Sequence, residues 1–209
     1  SLLLDEGRLT DARTAAAGAV AAKHLAPEVS AVGIVGTGIQ ARLQLRYLET
    51  ITPCRDAIVW GRRRDAAEAF VADLKGWKVR VADDLDDIVD GANLIVTATP
   101  STRPLLTRVR AGTHVTAVGS DTPEKQELSV DLVASADIVV GDSLAQCALR
   151  GEISQALRAG VFAIDQAVEL GAVIDGAPGR THPDQITVAD LTGVAVQDLA
   201  IAEAVYSRL

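Results

Sequence analysis

The chain has 209 residues, which is enough for one large domain with an ample hydrophobic core. Apolar residues make up 48% and charged residues 23% of it, a composition typical of water-soluble globular proteins. The net charge of −8 argues against a surface for nucleic acids or anionic membranes, because those partners need basic patches.

The N-terminal part of the chain is predicted to hold a short apolar run and one helix. Leu2-Leu3-Leu4 has the character of a strand end. Thr10 or Asp11 can cap an alanine-rich helix that continues to about Leu25. Pro27 stops this helix, because proline lacks the N–H and clashes with the preceding turn. The many alanines predict close packing against another element.

Strands and helices then alternate six times. Strands are expected at residues 31–35, 57–60, 77–81, 94–99, 113–118 and 137–140. Helices are expected at residues 39–50, 65–74, 84–89 and 127–135, with one or two more within 143–160. Continuously apolar strands suit a sheet that is buried on both faces. The pattern predicts an α/β fold, a Rossmann-like doubly wound and mostly parallel sheet, with strand order 3-2-1-4-5-6 and ligands at the carboxyl ends of the strands.

The C-terminal part departs from this alternation. A last strand is expected at 170–174, a loop rich in Gly and Pro at 175–184, and an amphipathic helix at 188–206. We divide the chain into a connecting helix at 1–27, a dinucleotide-binding domain at 28–185 and a C-terminal helix at 186–209. The chain starts within a pattern at Ser1 and contains no Met, so we expect a fragment whose two ends contact a second, largely absent domain; the alternative is a chain that is processed before Ser1.

The sequence shows no signal for export, membrane insertion or covalent cross-linking. The longest uncharged stretch, residues 29–41, is shorter than the roughly 20 residues that span a bilayer. No signal peptide is visible, so we expect a cytoplasmic protein. Cys54 and Cys147 are isolated, which argues against a disulfide framework or a zinc site.

A glycine motif follows the first buried strand. That strand runs into Gly36-x-Gly38-x-x-Ala41, and the next residues have helical spacing. Gly36 allows a tight turn, Gly38 lets the backbone approach a pyrophosphate, and Ala41 keeps the helix close to the sheet. The free N–H groups and the dipole of the helix attract phosphate charge. This stretch therefore predicts a dinucleotide-binding site.

The turn after the second strand predicts which dinucleotide binds. NAD-binding folds usually place an acidic residue there, about 20 residues beyond the glycines, on the ribose 2′-hydroxyl. This chain has Gly61-Arg62-Arg63-Arg64 instead, with no carboxylate before Asp65. Gly61 leaves space and Arg62 supplies a planar cation for a 2′-phosphate, which favours NADP(H), while NAD(H) stays possible. The alternative is a solvated basic turn.

Candidate catalytic and ribose-binding residues follow two later strands. Asp121 comes directly after the fifth strand and Gly119-Ser120, where the nicotinamide would lie, and can exchange a proton with an amine or imine nitrogen. The alternative is a helix cap or an Asx-turn before Pro123. Thr97 and Thr99 end the fourth strand and are candidates for contact with ribose or nicotinamide, although β-branched residues in a strand need no such explanation.

Arg13 is the one cation on the alanine-rich face of the first helix. It can bind a substrate carboxylate as a bidentate fork, or it can be a solvated side chain. The histidines show no partner pattern, so we interpret them as structural: His24, His114 and His182. Neither a nucleophile elbow nor the spacing of a metal site is present, so no metal is expected.

Five segments together resemble the ornithine cyclodeaminase/mu-crystallin family. They are Thr10-Asp11-Ala12-Arg13-Thr14-Ala15-Ala16, Gly36-Thr37-Gly38-Ile39-Gln40-Ala41, residues 119–128 (Gly-Ser-Asp-Thr-Pro-Glu-Lys-Gln-Glu-Leu), Asp142-Ser143-x-x-Gln146-Cys147 and Thr192-Gly193-Val194-Ala195-x-Gln197-Asp198. The similarity runs over nearly the whole chain, and the third segment is much more specific than the glycine motif. It implies a homodimeric enzyme whose N-terminal substrate domain, absent from this chain, also receives the C-terminal helix.

The resemblance also implies roles for single residues. Arg13 would bind the α-carboxylate of the substrate, Thr14 a cofactor phosphate and Gln40 the pyrophosphate. Asp121 would be the general acid/base at the substrate nitrogen. The remaining residues expected at the cofactor are Gly36, Thr37, Gly38, Ile39, Gly61, Arg62, Thr97, Thr99, Val118, Gly119, Ser120, Thr192 and Gly193.

The implied reaction moves hydride between nicotinamide and the α-carbon of a small amino acid, 2-oxo acid or imine. Mu-crystallin-like ketimine reductases typically lack the aspartate that is Asp121 here, whereas ornithine cyclodeaminases generally carry an acidic residue where this chain has Gly61-Arg62. We therefore expect an imine or ketimine reductase or an amino-acid dehydrogenase. The alternatives are an ornithine cyclodeaminase that recycles NAD and a non-catalytic NADP(H)-binding protein.

Overall fold

The computed structural model describes residues 6–208, so the strand end expected at Leu2-Leu3-Leu4 lies outside the described residues. Within this range the strands are β1 Val32–Val35, β2 Asp56–Trp60, β3 Lys78–Val81, β4 Leu94–Thr97, β5 Thr102–Leu106, β6 His114–Ala117, β7 Gln126–Leu128, β8 Ile138–Gly141, β9 Ala167–Glu169 and β10 Thr187–Asp190. The helices are α1 Arg8–Leu25, α2 Ile39–Leu48, α3 Arg64–Ala72, α4 Leu85–Gly91, α5 Val130–Ser135, α6 Leu144–Cys147, α7 Glu152–Arg158, α8 Leu170–Ile174 and α9 Ala195–Tyr206. None of the helices described here is long and apolar enough to cross a membrane.

Eight of the strands form one parallel sheet in the order β3-β2-β1-β4-β6-β10-β8-β9. Helices cover both faces, and a separate hydrophobic cluster lies on each side of the sheet. The predicted Rossmann-like doubly wound fold is thereby confirmed. Its buried central strands explain why their sequences are continuously apolar rather than alternating.

The carboxyl ends of the central strands are in register across the sheet. Val35 at the end of β1 pairs with Trp60 of β2 on one side and with Thr97 of β4 on the other. Thr97 pairs with Ala117 of β6, which pairs with Asp190 of β10. The loops that follow these five strands therefore share one edge, the edge where ligands bind in folds of this class.

The helix expected at 188–206 is wrong in its first part, because residues 187–190 form β10. This strand lies between the fifth and sixth predicted strands and interrupts the expected order 3-2-1-4-5-6. Val188 and Ala189 are fully buried between two neighbouring strands. Four residues are too few to show the periodicity of a strand, and the residues that follow are compatible with a helix. Pairing with the neighbouring strands therefore determines the conformation of β10.

Two further predictions are corrected. The strand expected at 170–174 is helix α8, which buries Leu170 and Val173, three residues apart on one helical face, and the strand β9 precedes it. The helix expected at 127–135 starts only at Val130, because Gln126–Leu128 is strand β7. β7 pairs in parallel with β5, a strand that the sequence reading missed, in a second sheet of two strands.

The alanine-rich helix α1 packs on the sheet beside α2. Its small residues allow this, because a Cβ at Gly18 would collide with the side-chain amide of Gln44 on α2. Ala15 and Ala21 are fully buried in the same face. The prediction of close packing is confirmed, and α1 thereby carries Arg13 to the edge where the strands end.

Candidate functional site

The glycine motif forms the turn that its sequence predicts. Gly36 has φ +126°, a conformation that L side chains rarely adopt, and a Cβ there would lie 2.5 Å from the carbonyl oxygen of Ala98. Gly38 stands at the N-cap of α2, with no heavy atom within 4 Å of the place where a Cβ would be. The turn therefore leaves an open space at the N-terminus of a helix of ten residues, which fits a pyrophosphate.

A cleft of about 310 Å³ opens at this turn. Its walls are residues 36–38 after β1, residues 60–63 at the end of β2, and residues 98–101 after β4, with Ala66 and Leu105 beside them. Gly61 lies against Thr37, where a Cβ would come within 2.6 Å of the threonine methyl carbon. The predicted cofactor residues Gly36, Thr37, Gly38, Gly61, Arg62 and Thr99 all line this cleft.

The three arginines after β2 have different surroundings. Arg64 donates to Asp83 at 2.6 Å and to Glu68 at 3.1 Å, which holds its guanidinium away from the cleft. Arg62 lies on the cleft wall, is exposed, and has no ion pair with another described residue. The guanidinium of Arg62 is therefore free for an anionic ligand.

Glu127, which the sequence reading placed in a helix, organises the ends of β4 and β6. Its carboxylate accepts hydrogen bonds from Thr97 Oγ1 (2.8 Å), Thr99 N (2.6 Å), Thr99 Oγ1 (2.7 Å) and Gly119 N (2.9 Å). The side chain is fully buried, and this burial raises the pKa of Glu127. The hydroxyls of Thr97 and Thr99 both donate their hydrogen to Glu127. The Thr99 side chain can therefore only accept a hydrogen bond from a cofactor.

Two more buried carboxyl groups continue from Glu127 into the core. Glu152 accepts from the backbone N–H groups of Glu127 (2.8 Å) and Leu128 (3.0 Å), and Asp190 accepts from the N–H of Ile153 (2.8 Å). Burial is the main cause that raises the pKa of Glu152 to about 8 and that of Asp190 to about 7. Isolated acidic residues in apolar surroundings are the only sequence signal for such groups, and it does not distinguish them from surface residues.

Asp121, the candidate acid/base, lies on an exposed turn after β6 and makes an ion pair with Lys125. Its Oδ1 accepts from Lys125 Nζ at 2.6 Å. Ser120 Oγ donates to the carbonyl oxygen of Lys125 at 2.7 Å, which closes the turn. The next element is β7, so Asp121 caps no helix. Sequence reasoning did not assign Lys125 to the site. A spacing of four residues predicts a contact with Asp121 only in a helix, and this segment is a turn.

Arg13 is held between α1 and α9. Its Nε donates to Asp198 Oδ1 at 3.0 Å and its Nη1 to Gln197 Oε1 at 3.3 Å, and only 16% of the side chain is exposed. The guanidinium lies against Gly193, where a Cβ would come within 2.6 Å of Nη1. Arg13 is therefore not a solvated side chain, and it lies where β10 ends.

Asp142, at the end of β8, fastens the loop that follows β10. It accepts from Thr192 Oγ1 at 3.0 Å and from Gly193 N at 2.6 Å. Gln146 adds hydrogen bonds to Thr192 Oγ1 and to the carbonyl oxygen of Gly193, each at 2.7 Å. Thr192 and Gly193 are thus fixed beside Arg13, and a contact with cofactor stays a prediction.

The other predicted cofactor residues have these positions. Thr14 Oγ1 donates to the carbonyl oxygen of Thr10 at 2.8 Å within α1, and Gln40 Nε2 donates to Asp11 Oδ1 at 3.0 Å, so the Gln40 side chain joins α2 to α1. The structure leaves Gln40 Oε1 buried without a hydrogen-bond partner. The exposed residue of the group is Ile39, and the buried ones are Val118 and Ser120.

A family model described as the ornithine cyclodeaminase/mu-crystallin family matches residues 1–209. An uncharacterized cyclodeaminase of Sinorhizobium fredii is 50% identical over 100% of this chain and 65% of the relative. An archaeal alanine dehydrogenase dimer with bound NAD superposes with a TM-score of 0.90 at 35% identity, over 96% of this chain and 64% of the other. The iminosuccinate reductase of Paracoccus denitrificans in complex with NAD⁺ superposes with a TM-score of 0.88 at 39% identity, over 96% of this chain and 63% of the other. The chain thus spans about 65% of the length of the curated relatives that it matches.

Proposed function

Because the chain belongs to the ornithine cyclodeaminase/mu-crystallin family, we propose that it is the nucleotide-binding part of an NAD(P)-dependent oxidoreductase. The enzyme transfers hydride between nicotinamide and the α-carbon of an amino acid or imine, as an imine or ketimine reductase or an amino-acid dehydrogenase. The observation that carries this proposal is the common edge of the sheet. The glycine turn, Thr99, Asp121 and Gly193 follow strands whose ends are in register. Glu127 and Arg13 contact residues that follow these strand ends.

The residues divide the work of the reaction. The open turn at Gly36 and Gly38 and the N-terminus of α2 hold the phosphates. A bound nicotinamide supplies or accepts the hydride, as is usual for this cofactor. Arg13 binds the carboxylate of the substrate through the guanidinium N–H groups that Asp198 does not use. Asp121 gives a proton to the substrate nitrogen during reduction of the C=N bond and takes it back during oxidation.

We further propose a preference for NADP(H). The support is Arg62, whose guanidinium lies free on the cleft wall beside Gly61, after the second strand, where dinucleotide-binding folds usually hold the ribose 2′-substituent. The two similar structures carry NAD or NAD⁺, so this chain would differ from them in its choice of cofactor. A binding titration that shows much tighter NAD(H) than NADP(H) would overturn this preference.

The relatives are longer than this chain, and we propose that the additional part of the enzyme packs against α1 and α9. None of the residues of α9 is buried, although Val196, Leu199 and Tyr206 are large and apolar. We propose that an N-terminal substrate domain covers this helix and α1, and that the whole protein forms a homodimer through that domain in the cytoplasm. β10 stays with the nucleotide domain, so the returning segment of the chain starts at Ala195.

Ornithine cyclodeaminase is the second candidate, and the 50% identity with the cyclodeaminase of Sinorhizobium fredii favours it. This reaction also needs hydride transfer at the α-carbon, but it releases ammonia and returns the cofactor to its oxidised form. The two reactions therefore differ in net consumption of NAD(P)H.

The full-length protein tests both candidates. We expect oxidation of NADPH, followed by its absorbance, with small 2-oxo acids in the presence of ammonium or methylamine. Formation of proline and ammonia from ornithine with NAD⁺, without net NADH, would select the cyclodeaminase instead. Cofactor binding with no turnover of any imine, 2-oxo acid or diamino acid would leave a non-catalytic NADP(H)-binding protein.

A further inference from the structure

Three buried carboxyl groups belong to a chain of hydrogen bonds that starts at the end of β10 and leads to the loops after β4 and β6. Asp190, the last residue of β10, accepts from the N–H of Ile153 at the start of α7. Glu152, the first residue of that helix, accepts from the N–H groups of Glu127 and Leu128 in β7. Each carboxyl group therefore fixes the backbone of the element that carries the next one.

Glu127 is the end of this chain and touches the loops of the site. Both of its oxygens are occupied: Oε1 accepts from the N–H and hydroxyl of Thr99, and Oε2 from the hydroxyl of Thr97 and the N–H of Gly119. Thr99 lies on the wall of the cleft, and Gly119 stands two residues before Asp121. One side chain thus joins the segment beside the cofactor cleft to the segment with the acid/base.

The position of Gly119 allows this contact and no larger residue. A Cβ at Gly119 would collide with the carbonyl oxygen of Thr99 and would lie 2.6 Å from the carboxyl carbon of Glu127. The backbones after β4 and β6 therefore approach each other directly over the carboxylate. No cation contacts Glu127 among the described residues, so its hydrogen bonds come from uncharged groups alone.

A carboxylate in this place is a costly way to gain stability. Apolar residues of similar volume usually stabilise a core at least as well as buried ionised groups, because desolvation opposes the charge. Four donors aimed at two oxygens, however, define the relative position of two loops more narrowly than apolar contacts do. The arrangement is therefore expected where geometry is needed for function.

We propose that Glu127 is a positioning residue for the hydride-transfer reaction. It sets the distance between the cleft wall at Thr99 and the acid/base Asp121, and it touches neither substrate nor reacting atoms. Glu152 holds the backbone of Glu127, and Asp190 holds the start of the helix that carries Glu152, so both support the same geometry. This inference rests on the proposed function, since it concerns the site of that reaction.

The test uses the full-length protein and the variants Glu127→Gln, Thr97→Val and Thr97→Ser. Glu127→Gln replaces one acceptor by an NH₂ group that faces N–H and O–H donors. Thr97 is fully buried, so Thr97→Val removes one donor to Glu127 with little change of shape, while Thr97→Ser keeps the hydroxyl. The measurements are kcat and KM for the imine substrate, the Kd of NADPH by fluorescence, and hydrogen exchange of the Thr99 and Gly119 amides.

We expect kcat to fall by about 10- to 100-fold in Glu127→Gln, because a displacement of about 1 Å at a reacting group costs that much. The Kd of NADPH should change by less than about threefold, since the phosphates are held at the glycine turn. Thr97→Val should also lower kcat, whereas Thr97→Ser, which keeps the hydroxyl, should have a kcat close to that of wild type. The exchange of the two amides should become faster in Glu127→Gln and Thr97→Val.

Each result decides the proposal. A kcat at the wild-type value in Glu127→Gln, with only a lower melting temperature, would show a purely structural role and refute positioning. If Glu127→Gln does not fold, equal kcat in Thr97→Val and Thr97→Ser refutes it as well. A wild-type protein that oxidises NADPH with none of the substrates would instead refute the proposed function, and the positioning role with it.

Discussion

The proposed preference for NADP(H) depends on one side chain, which the substitution Arg62→Ala removes. Arg62 lies on the wall of the cleft without an ion pair to any described residue, so a 2′-phosphate would meet an available guanidinium. A charge-assisted hydrogen bond contributes roughly 1.5–3 kcal/mol, and solvent screening at this exposed position favours the lower end. A loss of about 1.5–2 kcal/mol raises the Kd of NADPH about 10- to 30-fold. The Kd of NADH, which lacks the phosphate, should change by less than about twofold.

Arg64→Ala is the matched control. It removes the same charge from the same turn, but Arg64 donates to Asp83 and Glu68 and does not line the cleft. Fluorescence titrations of wild type and both variants with NADPH and NADH, at low and moderate salt, measure the difference. Equal weakening of NADPH binding in Arg62→Ala and Arg64→Ala would assign the effect to net charge and refute a specific contact.

Four other variants test the remaining features. Asp121→Asn should keep the Kd of NADPH and lower kcat about 100-fold or more, and near-normal turnover would reject its acid/base role. Asp198→Ala removes the acceptor that orients Arg13, so the guanidinium is no longer held in place and the KM of a carboxylate substrate should rise about tenfold with a smaller effect on kcat; an unchanged KM would contradict the assignment of Arg13. Gly36→Ala, which meets the Ala98 carbonyl and needs φ +126°, should weaken dinucleotide binding more than about tenfold in titrations. Glu152 has a pKa of about 8 in the folded state, above its unfolded value, so it stabilises at low pH and this contribution is lost as pH rises towards 8. From pH 5 to pH 8, the free energy of unfolding of Glu152→Gln should therefore rise relative to that of wild type, by at most about 1.4 kcal/mol per pH unit. Denaturant unfolding measures both, and a difference between them that does not change with pH would refute the titration of Glu152.

The fold was predictable wherever a short stretch of sequence determines its own environment. The buried strand before Gly36 and the helix after it follow from apolar continuity, a turn that requires glycine, and helical spacing. Apolar continuity also predicts the three other central strands before residue 120, which are β2, β4 and β6. Val188 and Ala189 carry no such local signal, since their strand conformation depends on partners more than 45 residues away in the chain, at β6 and β8.

The candidate site was predictable to a different extent. The residue types that line the cleft indicate their chemistry directly. The sequence therefore predicted Gly36, Arg62 and Thr99, which the structure places on the cleft wall. Glu127 and Asp142 were not assigned roles, because each acts through backbone N–H groups that no sequence pattern identifies. An acidic residue beside apolar ones is equally compatible with a solvated surface, and only the fold shows that the Glu127 carboxylate is buried.

β10, one of the strands that sequence reasoning missed, joins the two halves of the candidate site. β10 is in register with β6, so its end at Asp190 lies level with the strand end that precedes Asp121. Gly193, three residues later, contacts the guanidinium of Arg13, and α9 then supplies Asp198 to the same guanidinium. The position of Arg13, the proposed carboxylate-binding residue, is thus set from the sheet itself. The proposed domain over α1 and α9 would therefore act on Arg13 through two helices, while Asp121 follows β6 of the main sheet.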